Sequence, residues 1–377
     1  MKILFAGGGT GGHVIPIIAL TREIRRIYQT PDLQFYFLGP KDDFSQALLS
    51  QEGIKVKHVL AGKIRRYPGW KNILLNALDV CVKIPLGIVQ AFFHVFFMSP
   101  DLIFSKGGFG SIPGVLAGKL LFVPVFLHES DITPGAANKF LVNFVMEIFV
   151  SFPKTEYFPV KKMILVGNPT RMEILEGLRE EAKSFFKMTS AKPVLLVLGG
   201  SQGAQRINDK ILEILPQLLE NFEVIHQCGD NNFQQVRAES RVLINQEQEK
   251  FYHLFPFLRE PELKRAYAAA DLIVSRAGSG SIFEIAAVGK PSILIPLPES
   301  AQNHQVKNAY AYQESGACIV IEETNFTSRF FLERIKSLFS QTDELLKMVN
   351  GTRAFAKPQA AKIIANYLVE YLTGREN

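Results

Sequence analysis

The chain opens with a short apolar run and a glycine-rich turn, Ile3-Leu4-Phe5-Ala6-Gly7-Gly8-Gly9-Thr10-Gly11-Gly12-His13. From Val14 onward, apolar side chains recur at the three- and four-residue spacing of a helix. A strand, a glycine loop and a helix in this order bring backbone N–H groups and a helix N-terminus to an anion. Glycine suits such a loop because a Cβ would block both the tight turn and the approach of a ligand. The opening therefore predicts a strand–loop–helix unit that binds a ligand at its loop.

The spacing of Gly7, Gly9 and Gly12 matches a dinucleotide-binding fingerprint, but its context does not. The second predicted strand, 33–38, ends without the acidic residue that would hold a nicotinamide cofactor's ribose. No Gly-Lys-Ser/Thr closes the loop, which excludes a P-loop. His13 stands out as a titratable side chain where the loop becomes a helix. Two interpretations stay open: His13 caps or packs there, or it takes part in chemistry.

Length and cysteine content indicate the number of domains and the compartment of the protein. A chain of 377 residues predicts two domains rather than one core. Its three cysteines, Cys81, Cys228 and Cys318, are widely separated and odd in number, which favours a reducing compartment without disulfides or structural zinc. The first strand begins at Lys2, so we expect no signal peptide and a cytoplasmic protein.

Positive charge is concentrated in the first part of the chain. Residues 1–166 hold 18 Lys and Arg against 11 Asp and Glu, a net +7, whereas 167–377 hold 24 against 25, a net −1. This asymmetry predicts that the first part alone meets an anionic surface or substrate. No RNA- or DNA-binding motif is readable, so we expect no nucleic-acid partner.

Strand-like and helix-like runs alternate along the rest of the chain, which predicts an α/β protein with two doubly wound parallel sheets. Glycine-rich turns follow several predicted strands, and in such sheets these turns line the ligand-binding edge. Glu284 lies one turn into the helix after one of them and is suited to a ribose diol. Further strands are predicted at 54–60, 101–105, 123–128, 145–150, 193–198, 224–227, 272–275 and 292–296. A linker is predicted at 159–171 and the last helix at 358–372.

The segment 63–98 has a different composition. Arg65 and Arg66 precede Trp70 and Leu74, and basic residues beside large apolar ones are typical of a surface that lies on anionic lipid. The apolar run 84–98 has 15 residues and contains Gln90 and His94, so it is predicted to be too short and too polar to span a bilayer. A helix buried under the sheet is the alternative for 86–98.

Six motifs, in order along the chain, resemble the MurG family of N-acetylglucosaminyltransferases, in glycosyltransferase family 28. They are Gly-Gly-Thr-Gly-Gly-His (8–13), Lys-Gly-Gly-Phe-Gly-Ser-Ile-Pro (106–113), His-Glu (128–129), Gly-Asn-Pro-Thr-Arg (167–171), Gly-Gly-Ser-Gln-Gly-Ala (199–204) and Glu-Ile-Ala-Ala (284–287). The resemblance implies a GT-B fold of two Rossmann-like domains facing a cleft. It implies an acceptor and membrane-associating domain at 1–166 with the helix 357–377, and a donor-binding domain at 167–356.

The resemblance also implies an activity. It is transfer of N-acetylglucosamine, with inversion, from UDP-N-acetylglucosamine to undecaprenyl-pyrophosphoryl-N-acetylmuramyl-pentapeptide (lipid I), giving lipid II for peptidoglycan. The implied partners are the donor, lipid I and anionic phospholipid at the cytoplasmic face of the membrane, and we expect neither a metal nor another cofactor. Three rivals stay open: a glycolipid synthase acting on diacylglycerol, a UDP-sugar 2-epimerase and a non-catalytic nucleotide-sugar-binding protein.

The resemblance, carried over by position, also implies site residues. His13 and Glu129 are the implied catalytic residues, and Gly107, Gly108 and Ser111 form the implied acceptor or phosphate loops. The implied donor-binding residues are Thr10, Gly11, Gly12, Asn138, Arg171, Ser201, Gln202, Phe257, Leu258, Glu284, His304 and Gln305.

Among the donor-binding residues, Arg171 and Ser201 would hold the diphosphate, and backbone near Phe257 and Leu258 would read uracil. His304 and Gln305 would contact the sugar hydroxyls. The sequence departs from the family at Ser130-Asp131, where Gln-Asn is usual, and in a loop before His304 that is one residue longer.

Overall fold

The computed structural model describes residues 1–8, 11–62, 70–155, 157–188, 190–200 and 203–374. These divide into two compact units. The first unit is Met1–Arg171 with Pro358–Asn377, and the second unit is Met172–Lys357.

The first unit alternates strands and helices from its start, as the opening motif predicts. Its elements are β1 (Lys2–Gly7), α1 (Gly11–Ile27), β2 (Gln34–Gly39), α2 (Asp43–Gln51), β3 (Lys55–His58), α3 (Trp70–Leu78), α4 (Ile84–Met98), β4 (Leu102–Gly107), α5 (Ile112–Leu120), β5 (Val125–Glu129), α6 (Ala136–Leu141), β6 (Glu147–Val150) and β7 (Met163–Leu165). The last strand lies within 159–171, the segment predicted to be a linker.

Within its described residues, the first unit forms a seven-stranded sheet in the order β3-β2-β1-β4-β5-β6-β7, with every neighbouring pair parallel. Apolar clusters cover both faces of the sheet, one around Phe5 and Phe104 and the other around Leu4 and Ile103. Burial on both faces explains why the central strands read as continuous apolar runs. Because all strands are parallel, β1, β4 and β5 end at one edge and bring their following loops together.

One long helix departs from the sequence prediction. The chain is helical from Trp70 to Met98, since α3 and α4 are joined by a π-helical turn, Asp79–Lys83. The helix has 29 residues, and its most apolar window reaches a mean hydropathy of 1.8, so by length and composition it is long enough to cross a membrane. The prediction of a segment too short for that was wrong, because the helix begins 14 residues before Ile84.

The same helix is not buried under the sheet. Only Gly87, Ala91, Val95 and Met98 of α4 are buried, and this face packs on α5. The Cβ of any other residue at position 87 would collide with the carbonyl of Leu60, which explains the glycine. The alternative prediction, that 86–98 is a helix buried under the sheet, is therefore wrong for the outer face of α4, which is exposed.

The second unit repeats the α/β alternation. Its elements are α7 (Arg179–Phe185), β8 (Val194–Leu198), α8 (Gln205–Glu213), α9 (Leu215–Asn221), β9 (Glu223–Gln227), α10 (Phe233–Leu243), α11 (Gln246–Glu249), β10 (Tyr252–Phe255), α12 (Glu260–Ala269), β11 (Leu272–Ser275), α13 (Ser279–Ala287), β12 (Ser292–Leu294), α14 (His304–Gln313), β13 (Cys318–Val320), α15 (Ser328–Ser340) and α16 (Thr342–Phe355).

In the part of the second unit that the structure describes, six parallel strands follow the order β10-β9-β8-β11-β12-β13. Both faces are again covered by apolar clusters. The last helix, α17 (Ala360–Thr373), belongs to the first unit and packs against α1. Ile364 and Leu368 are fully buried there, and the Tyr367 ring meets Phe149 edge-on at 5.4 Å. The last helix thus completes the core of the first unit.

Candidate functional site

The carboxyl edge of the first sheet gathers several of the predicted residues. His13 is the third residue of α1, Gly107 ends β4, and Glu129 ends β5. These side chains and loops come from distant parts of the chain and meet because their strands are neighbours in the sheet. The edge is the candidate site of the first unit.

His13 packs against two glycine loops. A Cβ on Gly8 would lie 3.4 Å from its ring, and one on Gly108 would lie 2.9 Å from its Nε2 atom. The first distance is an ordinary contact and the second is a collision, so it is Gly108 that lets the backbone approach the imidazole. Burial, together with the positive charge of Lys106, lowers the pKa of His13 to about 4. At neutral pH the ring is uncharged, which a proton acceptor requires.

Glu129 is held by its own loop. Its carboxylate accepts hydrogen bonds from the backbone N–H groups of Asp131 at 3.0 Å and Gly135 at 3.3 Å, and from the Asn138 amide at 2.7 Å. The Asn138 side-chain oxygen in turn accepts from the Gly108 N–H at 3.3 Å. Asn138 therefore joins Glu129 to the loop that touches His13, so these predicted residues form one connected group.

Burial and the negative charge of Asp131 raise the pKa of Glu129 to about 7. The hydrogen bonds from the Asp131 N–H and the Asn138 amide, together with the charge of Lys106, act in the opposite direction because they stabilise the carboxylate. Glu129 is thus a carboxyl group that changes charge close to neutral pH.

The loop after β4 is closed by Ser111. Its hydroxyl donates to the Gly108 carbonyl at 2.8 Å, and its backbone N–H donates to the same oxygen at 3.1 Å. Gly107 and Gly108 both have left-handed backbone angles, φ 82° and 78°, which glycine adopts without strain. The predicted acceptor loop is therefore a hydrogen-bonded turn beside His13.

In the second unit, the glycine loop after β8 is tied to the segment predicted to read uracil. The Gln227 side chain donates to the Gly200 carbonyl at 3.0 Å and accepts from the Leu258 N–H at 3.1 Å. The Leu258 side chain is buried, and its N–H is already paired with Gln227. One buried amide thus fixes the distance between two predicted donor-binding segments.

Three more residues that are predicted to bind the donor, Glu284, His304 and Gln305, lie in the second unit. Glu284, on α13, is half-buried and accepts a hydrogen bond from the Tyr267 hydroxyl at 3.2 Å. Gln305 accepts from the Leu297 N–H at 3.0 Å. His304 begins α14 directly after Gln302 and Asn303, which have φ 58° and 55°.

Several predicted residues lie outside the described residues: Thr10, Ser201, Gln202, Arg65 and Arg66. Gly11 and Gly12 are the first two residues of α1, Phe257 precedes Leu258 in the same segment, and Arg171 is buried at the end of the first unit. Trp70 and Leu74 are 72% and 67% exposed. The roles proposed for all these residues stay predictions.

Sequence reasoning gave no role to Lys106, His226 or Gln227, and all three are buried. His226 contacts the Tyr252 hydroxyl at 2.9 Å and the Asn208 side-chain oxygen at 3.0 Å. The sequence did contain a signal for these three residues. Each is a polar residue near the end of an apolar strand, and such positions lie at the sheet edge beside the loops.

Two parallel Rossmann-like sheets with glycine loops at their carboxyl edges define a GT-B fold, the class of two-domain glycosyltransferases and related enzymes. Residues 3–150 match the glycosyltransferase family 28 N-terminal domain, and 194–364 match its C-terminal domain. The chain belongs to glycosyltransferase family 28.

Relatives of similar length support this membership. The chain is 35% identical to UDP-N-acetylglucosamine--N-acetylmuramyl-(pentapeptide) pyrophosphoryl-undecaprenol N-acetylglucosamine transferase 2 of Bacillus cereus, over 94% of this chain and 96% of the relative. It is 34% identical to the corresponding transferase of Clostridium tetani, over 93% of each.

Solved structures share the fold. The crystal structure of Acinetobacter baumannii MurG has a TM-score of 0.73 at 23% identity and covers 98% of this chain and 99% of that one. UDP-GlcNAc 2-epimerase from Neisseria meningitidis, bound to UDP-GlcNAc, has a TM-score of 0.66 at 17% identity, over 98% and 100%. The fold alone therefore does not separate transferase from epimerase.

Proposed function

We propose that this chain transfers N-acetylglucosamine from UDP-N-acetylglucosamine to the C4 hydroxyl of lipid I, producing lipid II for peptidoglycan. The observation that carries the proposal is the likeness to transferases of that name over 93–96% of both chains, which spans both units. A proton-handling group at the edge of the first unit supports it, because a hydroxyl acceptor has to lose its proton.

The reaction makes one bond and breaks one. The acceptor hydroxyl oxygen bonds to the anomeric carbon while the bond from that carbon to UDP breaks, and attack from the opposite face inverts the anomeric centre. The hydroxyl proton passes to a base, because an alcohol does not ionise at neutral pH. We assign this proton to His13, since both oxygens of Glu129 already accept hydrogen bonds from its loop.

Donor binding is proposed for the second unit together with Arg171. Arg171 and Ser201 hold the diphosphate, backbone near Leu258 reads uracil and Glu284 takes the ribose hydroxyls. Gln227 supports this arrangement, because it joins the glycine loop to Leu258. Charge on the departing UDP is met by backbone N–H groups, a helix N-terminus and a guanidinium.

The test uses radiolabelled UDP-N-acetylglucosamine with a short-chain lipid I analogue. We expect labelled disaccharide product and free UDP in equal amounts. Parallel reactions contain diacylglycerol, or no acceptor. Product on diacylglycerol would favour the glycolipid synthase, and UDP-N-acetylmannosamine formed without acceptor would favour the epimerase. Binding of the donor without turnover in any reaction would leave only the non-catalytic binding protein.

We further propose that the first unit lies on the cytoplasmic face of the cell membrane as a peripheral protein. The outer face of the helix from Trp70 to Met98 presents large apolar side chains at helical spacing; Ile73, Leu74 and Phe97 are 70%, 67% and 79% exposed. Burying such a face in a lipid surface is favourable, and the excess positive charge of 1–166 favours anionic lipid. A lipid-borne acceptor supports the same placement.

A vesicle-binding experiment tests this placement. Replacing Trp70 and Leu74 together with Ser should weaken binding to phosphatidylglycerol-containing vesicles at least about tenfold, since each large apolar side chain contributes about 1.5–3 kcal/mol when buried. Activity on a detergent-soluble acceptor should be retained. Val242→Ser, an exposed apolar position of the second unit, is the matched control. Unchanged vesicle binding in the double variant would contradict the proposal.

A further inference from the structure

Lys106 has a buried ammonium group at the end of β4. The residue is 2% exposed, and a lysine is rarely buried so deeply unless it is paired. Its Nζ atom lies 2.9 Å from Nδ1 of His128 and donates a hydrogen bond to the Ser130 hydroxyl. His128 and Ser130 stand on either side of Glu129 in the sequence, so one cation holds both neighbours of a proposed site residue.

The direction of each hydrogen bond follows from the chemistry of Lys106. An ammonium group only donates, so Nδ1 of His128 must accept and carries no hydrogen. The hydrogen of the neutral ring is then on Nε2, which donates to the Gly167 carbonyl at 3.0 Å. Burial and the charge of Lys106 hold the pKa of His128 well below its usual range, which agrees with a neutral ring.

The hydrogen bonds from Lys106 through His128 to Gly167 form one relay, and a second relay runs from Lys106 through Ser130. Its oxygen accepts from Lys106, and its own hydrogen is donated to the side-chain oxygen of Asn168 at 3.3 Å. The two relays from one ammonium therefore end on consecutive residues, Gly167 and Asn168. Gly167 has φ 94°, a conformation that favours glycine and that fixes the path of the chain toward Arg171.

We propose that Lys106 is a positioning residue that, through His128 and Ser130, holds the segment 167–171 and thereby Arg171 in place to receive the UDP diphosphate. This inference rests on the proposed function for the role of Arg171. All the groups in the two relays belong to the first unit, yet the expected consequence is on donor binding. Lys106 touches no part of the donor in this proposal.

Other charged groups face Lys106. Glu129 and Asp131, on the strand end and loop beside it, favour its charged form, and His13 on α1 is a further titratable neighbour. Burial nevertheless lowers the pKa of Lys106 to about 8. The ammonium is therefore present below pH 8 and is lost as the pH rises through that value. We expect UDP affinity to fall over the same interval.

The test measures UDP binding by calorimetry in the full-length chain. Lys106→Met should weaken UDP binding about tenfold, as expected for the loss of a charged hydrogen-bond donor, and should remove the decline in affinity above pH 8. Ser130→Ala breaks one relay and should cause a smaller loss. Lys119→Met, an exposed lysine of the same unit, is the matched control and should bind like the wild type.

A double-mutant cycle separates positioning from general damage. If Lys106 acts through Arg171, Lys106→Met should have no further effect on UDP affinity in an Arg171→Ala background. Additive losses, or a folded Lys106→Met protein with wild-type affinity and pH dependence, would overturn the inference. If Lys106→Met does not fold, Ser130→Ala carries the same cycle. Failure of the wild type to bind UDP would instead overturn the proposed function.

Discussion

The two sheet edges stabilise their glycine loops with different chemistry. In the first unit the groups behind the loops change charge in an accessible range: Lys106 has a pKa of about 8 and Glu129 of about 7. In the second unit the corresponding groups are neutral, because Gln227 cannot ionise and burial lowers the pKa of His226 to about 3. Similar folds thus carry a proton-handling edge and a neutral, hydrogen-bonding edge. The difference agrees with chemistry in the first unit and donor binding in the second.

The largest expected effect comes from removing the base at the first edge. His13→Ala should lower kcat by about 10²–10⁴, the usual contribution of a positioned general base. UDP affinity should stay near the wild-type value, because donor binding is proposed for the second unit and Arg171. Steady-state kinetics and calorimetry measure the two quantities.

His58→Ala, another histidine of the first unit, is the control for His13→Ala. A near-normal kcat in His13→Gln would show that His13 shapes the loop and that a different group takes the proton. The comparison between the two edges would then rest on Lys106 and Glu129, without an assigned base.

The second prediction concerns the pH dependence at the same edge. A carboxyl with a pKa of about 7 is ionised above that pH and protonated below it, and only the carboxylate accepts all three hydrogen bonds of its loop. We therefore expect kcat to fall as the pH decreases through 7, by about 100-fold at pH 5.

Asp131→Asn identifies the group behind this pH dependence. Its negative charge raises the pKa of Glu129, so removing the charge should move the fall in kcat to lower pH. Asp32→Asn, on the surface of the same unit, should leave the profile in place. An unmoved profile in Asp131→Asn would assign the pH dependence to another group.

Much of the fold was predictable because parallel strands buried on both faces appear as apolar runs. The runs at 3–6 and 193–198 coincide with β1 and β8. The helix from Trp70 to Met98 was not predictable in its full length. The apolar run 84–98 showed only its second half, and the helix continues through the Asp79–Lys83 turn, where the two charges pair at 2.6 Å.

The sequence could name candidate site residues one by one, but it could not show the connections between them. Motifs pointed to Glu129, Asn138 and Gly108 separately, whereas their hydrogen bonds depend on the packing of β4, β5 and α6. The contact of Lys106 with His128 joins residues 22 positions apart, and that of His128 with Gly167 spans 39. Local sequence patterns do not contain such separations, which arise from the strand order.

The third prediction tests the binding edge. Glu284→Ala should raise the donor KM by a factor of about 10–150, which corresponds to about 1.5–3 kcal/mol for a charged hydrogen bond. The kcat at saturating donor should change less. Glu220→Ala, an exposed carboxylate of the second unit, is the control. An unchanged donor KM would show that Glu284 serves only its contact with Tyr267.

The smallest expected effect, and the most selective, belongs to Gln227. In the wild type its amide nitrogen donates to Gly200 and its oxygen accepts from Leu258. Gln227→Glu keeps an acceptor for Leu258 but has no donor for Gly200, so only the glycine loop should loosen. UDP affinity should fall about fivefold, in line with about 1 kcal/mol for one hydrogen bond, whereas uridine affinity should change little.

Gln227→Met removes both hydrogen bonds at similar volume and should weaken UDP and uridine alike. The exposed Gln217→Glu adds the same charge to the second unit and should change neither affinity. Equal losses of UDP and uridine affinity in Gln227→Glu would mean that the amide acts on the whole edge rather than on the loop. Gln227 would then position a whole binding segment without a charge, as Lys106 is proposed to do with one, and the contrast between the two edges would lie only in their ionisation.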